Sequence, residues 1–441
     1  MRSVRGWLRD TAGGLPATFW YLWTGTLINR LGSFVLIFLA IYLTTVRGFS
    51  ELDAGFVLGL WGAGGTVGTL LGGVLADRWG RRPTLLTAHL GAAAAMLGLG
   101  FAEPFWAIAT GALLLGLFAE SARPAFGAMM IDVVPATDRL RAFTLNYWAI
   151  NLGFACSAVL AGFVAQANYL LLFLINAGAT LVTAGIVFGR VRETRRPRAA
   201  SPNPPSSTRT ARRRLAPGLH TVLGDRVFLG FVGLNILLAL VFMQHLSMLP
   251  IAMDQDGLPP ATYGSVIALN GVLIVAGQLF VPRLIRHRSR THVLALAAAI
   301  TGLGFGLTAF ADVAWFYAVT VLIWTLGEML NSPSNSTLIA ELSPDALRGR
   351  YQGVFSLSWS IAAFAAPITG GFVRQQFGDA TLWLCCGGLA AAVAVGHLLS
   401  GPARERRARH LRDPEPAPAA AAGDGDGDGR AATPKSLPSP V

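Results

Sequence analysis

Apolar residues run along this chain in long, nearly uninterrupted stretches, and short polar islands separate them. A helix needs about 20 predominantly apolar residues to cross the hydrocarbon core of a bilayer. The stretches do not alternate with polar residues, which favours helices over the strands of a membrane barrel. The pattern therefore predicts an all-α membrane protein with twelve spans, numbered 1 to 12 below, at roughly 19–46, 54–76, 84–101, 104–131, 142–165, 169–189, 227–253, 260–285, 291–311, 314–341, 351–374 and 379–400.

A repeat divides these spans into two halves, because residues recur at a constant offset of 209 positions. Trp106 recurs as Trp315, for example, and Pro124 recurs as Pro333. One register without gaps covers most of both halves, which indicates a duplication. Parallel repeats of apolar helices with a substrate site between them are a plan found in transporters, so transport is the leading hypothesis. We expect a short N-terminal segment (1–18), a six-helix half (19–189), a linker (190–226), a second six-helix half (227–400) and a tail (401–441).

The charges are sparse and lie mostly on one side of the predicted membrane. Only 13% of the residues are charged, against about 25% in soluble domains. Of the 35 lysines and arginines, only Arg47 and Arg374 fall at loops that follow odd-numbered spans. By the positive-inside rule both termini are cytoplasmic, and the net charge of +12 is a signal of topology instead of nucleic-acid binding. Because alanine is abundant and arginine far outnumbers lysine, we expect a multi-pass protein of a bacterial plasma membrane.

The polar segments outside the spans are of low complexity. Residues 190–225 contain nine arginines among prolines and serines, which predicts a disordered cytoplasmic linker that touches anionic lipid. The tail alternates aspartate and glycine over 424–429, but a calcium loop would need a glutamate where Lys435 stands. We therefore predict a disordered cytoplasmic tail without a calcium site.

Several energy sources and chemistries can be excluded from the residues that the chain lacks. A phosphate-binding loop needs a Gly-Lys-Ser/Thr sequence, whereas the only lysine, Lys435, follows Pro434. The three cysteines have neither metal-ligand spacing nor a disulfide pattern. We therefore expect no ATP hydrolysis, no enzyme activity, no metal and no cofactor, and transport that is driven by an ion gradient or runs downhill.

The most specific motif lies at the end of span 2, where an acid is followed by three arginines around a glycine turn. An acid at this membrane boundary can cap a helix or pair with an arginine of a neighbouring loop, so we interpret the motif as a charged latch on the cytoplasmic face. The alternative is that the arginines are topology anchors, which explains their sign but not the acid or the glycine spacing. The motif residues are Gly73, Asp77, Arg78, Gly80, Arg81 and Arg82.

This pattern, Gly-x-Leu-Ala-Asp-Arg-x-Gly-Arg-Arg, resembles the signature loop of the major facilitator superfamily. The resemblance covers roughly residues 19–400 and implies the major facilitator fold, with two pseudo-symmetric six-helix halves. It also implies a monomeric carrier that alternates access to a central cavity lined by spans 1, 4, 7 and 10, with the gate between spans 2 and 11 latched by this loop. The equivalent loop at 286–290 keeps its arginines but lacks the acid.

Other motifs place the chain near the drug:proton antiporters of that superfamily. Asn29-Arg30 in span 1 and Gly327-Glu328 in span 10 look like a bacterial drug-efflux branch. The Gly-Pro-x-x-Gly-Gly motif typical of span 5 is degraded here and has no proline, whereas its repeat in span 11, starting at Pro367, is a closer match. Span 1 also lacks the Glu-x-x-Glu-Arg pattern expected of a proton-coupled peptide carrier.

Four charged residues inside the spans are the candidates for coupling. Arg30 lies too far from the next loop to be placed outside the membrane, and Glu120 and Arg123 share one face of span 4. Glu328 in span 10 has no arginine nearby in its own half, and desolvation favours the neutral form of such a carboxyl group. These groups either form a static ion-pair cluster or take part in coupling and substrate binding, and intramembrane charges are more often functional. We expect Glu120 to be the partner of Arg30.

Polar residues of spans 1, 7 and 10 are candidates to line the substrate cavity. They are Asn29, Gln244, His245, Asn331 and Asn335. A lone histidine can titrate near neutral pH, but it is as often a packed residue with satisfied hydrogen bonds. Glycines at 64, 68 and 72 form successive small-xxx-small steps on span 2, for which we expect close packing against span 11.

The sequence therefore favours a secondary carrier that exports amphipathic small molecules, such as drugs, in exchange for protons. A mainly apolar cavity with one or two carboxylates suits such substrates. The alternative is a symporter or facilitator for a polar metabolite, although few paired polar residues are available to bind a sugar. A receptor or scaffold without transport would need neither a latch nor charges at matching depth in both halves.

Overall fold

The computed structural model describes residues 13–194, 215–278, 280–285, 288–344 and 347–412, and it is all-helical over those ranges. In the N-terminal half the helices run Ala17–Leu31 and Val35–Ile41 (span 1), Glu51–Arg78, Arg81–Phe101, Phe105–Val133, Arg139–Ala167 and Tyr169–Arg190 (spans 2 to 6). In the C-terminal half they run Arg226–Phe242, Gln244–Ser247 and Leu249–Gln255 (span 7), Pro260–Gly277 with Val281–Ile285 (span 8), Arg290–Leu307, Ala314–Leu342, Arg348–Phe377 and Asp379–Arg412 (spans 9 to 12). Each predicted span thus has a helix at its position.

Eleven of these helical segments are long and apolar enough to cross a membrane. Span 10, Ala314–Leu342, is as long as span 4 but is not among them. Its second half carries Glu328 followed by a run of asparagine, serine and threonine, and these polar residues lower its hydropathy. Such polarity fits a helix that faces protein on most sides, because polar groups in a bilayer must find partners within the protein.

Spans 1 and 7 are both interrupted at matching positions of the repeat. Span 1 breaks at residues 32–34, where Asn176 Oδ1 of span 6 accepts a hydrogen bond from the Val35 backbone at 3.2 Å. Span 7 breaks at Met243, which corresponds to Phe34. A helix break at membrane depth is tolerated only where protein or a water-filled cavity surrounds it. The two breaks therefore mark the interior of the molecule.

The two halves meet along two seams at one end of the molecule, here called the closed end. Span 2 packs on span 11, where a Cβ at Gly62 would meet the Ala363 carbonyl at 2.5 Å. Span 5 packs on span 8, where a Cβ at Gly162 would lie 2.7 Å from Ala261 Cα. Small residues at these crossings let the backbones touch, and close packing is the main source of helix association in a membrane.

The small-residue stripe on span 2 packs against span 4, so the expected contact with span 11 is wrong. A Cβ at Gly68 or Gly72 would collide with the backbone of Leu117 or Ser121 in span 4. The seam with span 11 uses a different stripe nearer the closed end, which includes Gly55, Gly59 and Gly62. The spacing of the glycines indicated a packing face but carried no information about which neighbour covers it.

Two segments outside the predicted spans are also helical. Leu215–Gly224 forms a helix within the predicted linker, and the helix of span 12 continues to Arg412. The guanidinium of Arg404 is buried and donates to the His397 carbonyl at 2.6 Å, and Arg407 pairs with Asp225 at 3.3 Å. The first bond lies within the helix of span 12, and the pair with Asp225 joins the first part of the predicted tail to the start of span 7. The remaining predictions for the linker and tail, at 195–214 and 413–441, and the predicted N-terminal segment before residue 13 lie outside the described residues.

Candidate functional site

A cavity of about 670 Å³ lies within the N-terminal half, and spans 1 to 6 supply all of its lining residues. The resemblance implied that spans 7 and 10 would line the cavity as well. The walls are mostly apolar and aromatic, and they include Tyr21, Leu36, Trp61, Met96, Phe126 and Phe143. Such a lining suits an amphipathic organic molecule.

Three of the four predicted membrane charges line this cavity together: Arg30, Glu120 and Arg123. The carboxylate of Glu120 pairs with Arg123 of its own helix at 3.0 Å, although the Arg123 side chain is 68% exposed. Arg30 lies within electrostatic range of both residues, but its guanidinium forms no hydrogen bond or ion pair with any described residue. The structure thus brings three of the predicted charges together. It pairs Glu120 with Arg123, whereas we expected Arg30 to be the partner of Glu120.

Local packing fixes the position of Arg30. The first helix of span 1 ends directly after it, at Leu31. Span 5 approaches so closely that a Cβ on Gly153 would lie 2.5 Å from the Cβ of Arg30. The neighbouring Asn29 lines the cavity and donates a hydrogen bond to Thr180 Oγ1 at 3.2 Å.

Glu328 occupies a separate position at the junction of spans 5, 8 and 10. Asn270 of span 8 donates to its carboxylate at 2.7 Å and also to Thr325 at 3.1 Å. The side chain of Tyr147, which lines the cavity, lies within electrostatic range of Glu328. Within the described residues Glu328 forms no ion pair. It is therefore a carboxyl group that the amide of Asn270 holds, near Tyr147 of the cavity wall but outside the cavity lining.

The other predicted cavity residues are packed inside the C-terminal half and do not line this cavity. Gln244 is buried and donates to the Ala366 carbonyl at 2.9 Å. His245 is buried against Phe242 and Trp324.

The two asparagines of span 10 are likewise buried. Asn335 donates to Asn235 of span 7 at 3.2 Å, while Asn331 is 9% exposed. In this conformation Gln244, His245 and Asn335 therefore serve packing, because buried polar groups need hydrogen-bond partners and these three have them.

A second cleft of about 530 Å³ lies between spans 5 and 8. It shares Phe143, Asn146, Tyr147 and Ile150 with the cavity wall. Both openings lie toward the end opposite the closed end, because spans 5 and 8 touch near Gly162 and separate near Phe143. The structure thus represents a carrier that is open at one end.

The latch loop lies at this open end, where it is bound within its own half. Gly80 adopts φ +119°, a conformation that glycine reaches easily. The carboxylate of Glu193 accepts hydrogen bonds from the backbone N–H groups of Arg81 at 3.1 Å and Arg82 at 3.0 Å. The Arg81 guanidinium also pairs with Asp132 of span 4 at 3.1 Å. Glu193 therefore caps span 3 from the far end of span 6.

The acid of the latch motif is unengaged in this conformation. Asp77 is exposed and makes no hydrogen bond or ion pair with any described residue. Arg78 has a partner, and Gly73 lies beside Pro124 of span 4. The role of this motif as a latch stays a prediction.

Sequence reasoning missed the residues that close the opposite end. Arg374 is buried and donates to Glu51 at 2.9 Å, to Gln255 at 2.8 Å and to Asp379 at 2.5 Å. Glu51 belongs to the N-terminal half and the other partners to the C-terminal half, so this cluster joins the halves. One signal could have pointed to this cluster: Arg374 is one of only two arginines at loops that follow odd-numbered spans.

This fold and this cavity define a membrane carrier with two repeated halves, and the sequence comparison identifies the family. The model of the Major Facilitator Superfamily matches residues 22–367. The chain therefore belongs to the major facilitator superfamily, whose members are transporters.

Among similar proteins, the chain is 26% identical over 364 residues to the uncharacterized MFS-type transporter YqjV of Bacillus subtilis, covering 81% of this chain and 87% of that protein. It is 25% identical over 391 residues to a Na(+), Li(+), K(+)/H(+) antiporter of Planococcus maritimus, with 83% and 90% covered. It is 23% identical over 412 residues to the multidrug resistance protein MdtH of Escherichia coli, with 89% and 96% covered.

Solved transporter structures share the fold. A POT family transporter in complex with 5-aminolevulinic acid gives a TM-score of 0.75 at 14% identity, with 88% of this chain and 97% of that chain covered. The nucleoside transporter NupG gives 0.72 at 14% identity, with 87% and 99% covered. These likenesses concern the fold alone.

Proposed function

We propose that this chain exports amphipathic small molecules in exchange for protons by alternating access. The open end faces the cytoplasm, as the distribution of arginines predicts. The observation that carries the proposal is the position of Glu328, a carboxyl group within electrostatic range of Tyr147 in the cavity wall and without an ion pair among the described residues. Proton exchange at such a group breaks no ion pair, whereas proton exchange at a carboxylate held by an arginine would break one.

The division of roles among the acids follows from their partners. Arg123 holds Glu120 in an ion pair at 3.0 Å. Glu328 has only the amide of Asn270 at 2.7 Å. We therefore assign proton exchange to Glu328 and the electrostatics of the substrate cavity to Glu120 and Arg123.

Alternation is supported by charged groups at the two ends. At the closed end Arg374 and Glu51 bridge the halves at 2.9 Å, and Thr45 donates to Asp254 across the same junction at 2.9 Å. At the open end Asp77 is free to engage once the halves close there. One set of bonds breaks as the other forms, which is the exchange that a rocking carrier requires.

The names of two similar proteins support this choice. MdtH is named for multidrug resistance, which agrees with the proposed substrate class. The Planococcus maritimus protein is named as a cation/proton antiporter, which agrees with the proposed coupling. The test is reconstitution of the purified protein in liposomes that contain a pH-sensitive dye, assayed with a panel of amphipathic compounds. Proton movement opposite to the compound supports antiport. Movement in the same direction indicates the alternative, a symporter, and flux without proton movement indicates a facilitator.

A further inference from the structure

The cavity carries an excess of positive charge. Its charged lining residues are Arg30, Glu120 and Arg123. Glu120 and Arg123 compensate each other at 3.0 Å, which leaves the guanidinium of Arg30 without a counter-charge in contact with it. Glu328 does not line this cavity. An empty cavity thus presents one net positive charge to a ligand.

Neither the fold nor the packing requires this charge. The repeat places Ala239 at the position of Arg30 in the other half, and it places Met329 and Ser332 at the positions of Glu120 and Arg123. The same architecture is therefore built without these charges in the C-terminal half. An arginine at membrane depth costs free energy unless something compensates it, so its presence without a protein partner indicates a partner that comes and goes.

The surroundings of Arg30 indicate the chemistry of that partner. A guanidinium is a planar fork of donors that matches the two oxygens of a carboxylate and binds them as a bidentate pair. The cavity wall beyond it is apolar and aromatic, with Trp61, Phe126 and Phe143 among its members. An anionic head on an apolar body fits both features, whereas a simple cation would meet an excess of like charge.

We propose that Arg30 binds the head group of the substrate and that the substrate is an amphipathic carboxylate. This inference rests on the proposed transport function and specifies its substrate class. Asn29, held by Thr180 at 3.2 Å, is the neutral hydrogen-bonding group next to the head. The Arg30 side chain contacts the substrate directly. The Glu120–Arg123 pair is neutral as a whole, so the net charge of the cavity is that of Arg30.

Binding to the purified protein tests this assignment without relying on proton coupling. The probes are ω-phenylalkyl carboxylates of increasing chain length, with the primary amides and primary amines of the same bodies, titrated by calorimetry in nanodiscs. We expect the carboxylate to bind at least about tenfold more tightly than its amide, and the amine to bind most weakly, because a charge-assisted bidentate pair is lost in both. Equal affinities for carboxylate and amide would overturn the proposal.

Variants locate the effect at one side chain. In Arg30→Met the carboxylate and the amide should bind equally, and in Arg30→Lys, which keeps the charge, part of the preference should remain. Arg47→Met removes one positive charge at the closed end, where Arg47 donates to Tyr42 at 2.7 Å, and should leave the affinities unchanged. A preference for the carboxylate that survives in a folded Arg30→Met protein also overturns the assignment.

The outcome is distinguishable from failure of the proposed function. If the liposome assay shows flux but the head group has no effect on binding, the transporter stands and the role of Arg30 is wrong. If the carboxylates bind through Arg30 but no compound moves, binding stands and transport is wrong.

Discussion

The guanidinium of Arg374 lies 2.9 Å from the carboxylate of Glu51, across the junction between the two halves. The Arg374 side chain is 2% exposed, and Asp379 and Gln255 hold it from its own half. The Coulombic attraction within an ion pair that is shielded from water is stronger than on a surface, and removal of one partner leaves an uncompensated charge. In the proposed cycle of alternating access, this cluster acts as a clasp that opens with the closed end.

Glu51→Gln should therefore shift the carrier toward opening of the closed end. Arg374 keeps Asp379 as its counter-ion in this variant, so the protein should stay folded. The test is the distance between spin labels placed at the two rims of the closed end. The ratio of molecules with a long distance to those with a short one should rise roughly five- to tenfold if the lost bond contributes about 1–1.4 kcal/mol. Arg47→Met, at the same end but outside the clasp, serves as the control. An unchanged distance distribution in Glu51→Gln would show that the helix seams alone keep this end closed.

Asp77→Asn should slow exchange without abolishing substrate binding. Asp77 is exposed and far along span 2 from the cavity, so it contributes to the conformation open at the opposite end and not to the substrate site. We expect counterflow to fall several-fold while the equilibrium affinity stays within about threefold. Loss of binding in a folded protein would contradict the assignment of Asp77 as a latch.

Gly80→Ala should destabilise the protein, because an alanine must adopt φ +119° and its Cβ would lie 2.5 Å from Glu193 Oε2. Loss of this cap and the backbone strain should cost about 1–3 kcal/mol, measured as a lower thermal midpoint in detergent. Gly98→Ala is the matched control, since Gly98 lies in the next helix and a Cβ added there would have nothing within 4 Å of it. Equal midpoints for the two variants would show that the Glu193 cap does not contribute to stability.

Glu120 should be energetically coupled to Arg30, although the two side chains form no ion pair with each other. Arg123 is 68% exposed and can be hydrated when its partner is removed, and exposed pairs contribute at most about 1 kcal/mol. Arg30 faces the cavity, and Glu120 is the acid within electrostatic range of it. Glu120→Gln should thus lower the thermal midpoint, and a second change, Arg30→Met, should restore part of it. Additive losses in the double variant would show that the two residues do not interact.

The helices and their number could be predicted from the sequence because continuous apolar runs leave few alternatives in a membrane. The partners of polar residues could not. Gln244 and His245 carry the chemistry of a binding site, yet their hydrogen bonds are satisfied within the packed C-terminal half. Glu193 lies in the predicted linker, and its role as a cap depends on how span 6 ends beside span 3. Such a cap joins residues more than a hundred positions apart, and no local pattern encodes it.

For Arg30, too, the position could be predicted from the sequence but the partner could not. Its depth in span 1 predicted a membrane charge, and the structure places it in the cavity. That Glu120 would pair with Arg123 of its own helix depended on side-chain orientation, which one turn of helical spacing allows but does not decide. Two arginines competing for one acid cannot be assigned from sequence alone.

Proton transfer by Glu328 is central to the proposed mechanism, and transport by Glu328→Gln in liposomes tests it most directly. Glutamine keeps the size of the side chain and can still bond to Asn270, which lies 2.7 Å from the carboxylate, but it cannot exchange a proton. We predict that this variant loses accumulation driven by a pH gradient and retains substrate counterflow, which needs alternation without net proton movement. If Glu328→Gln still concentrates substrate against a gradient while Glu120→Gln does not, Glu120 carries the proton and the role assigned to Glu328 is wrong.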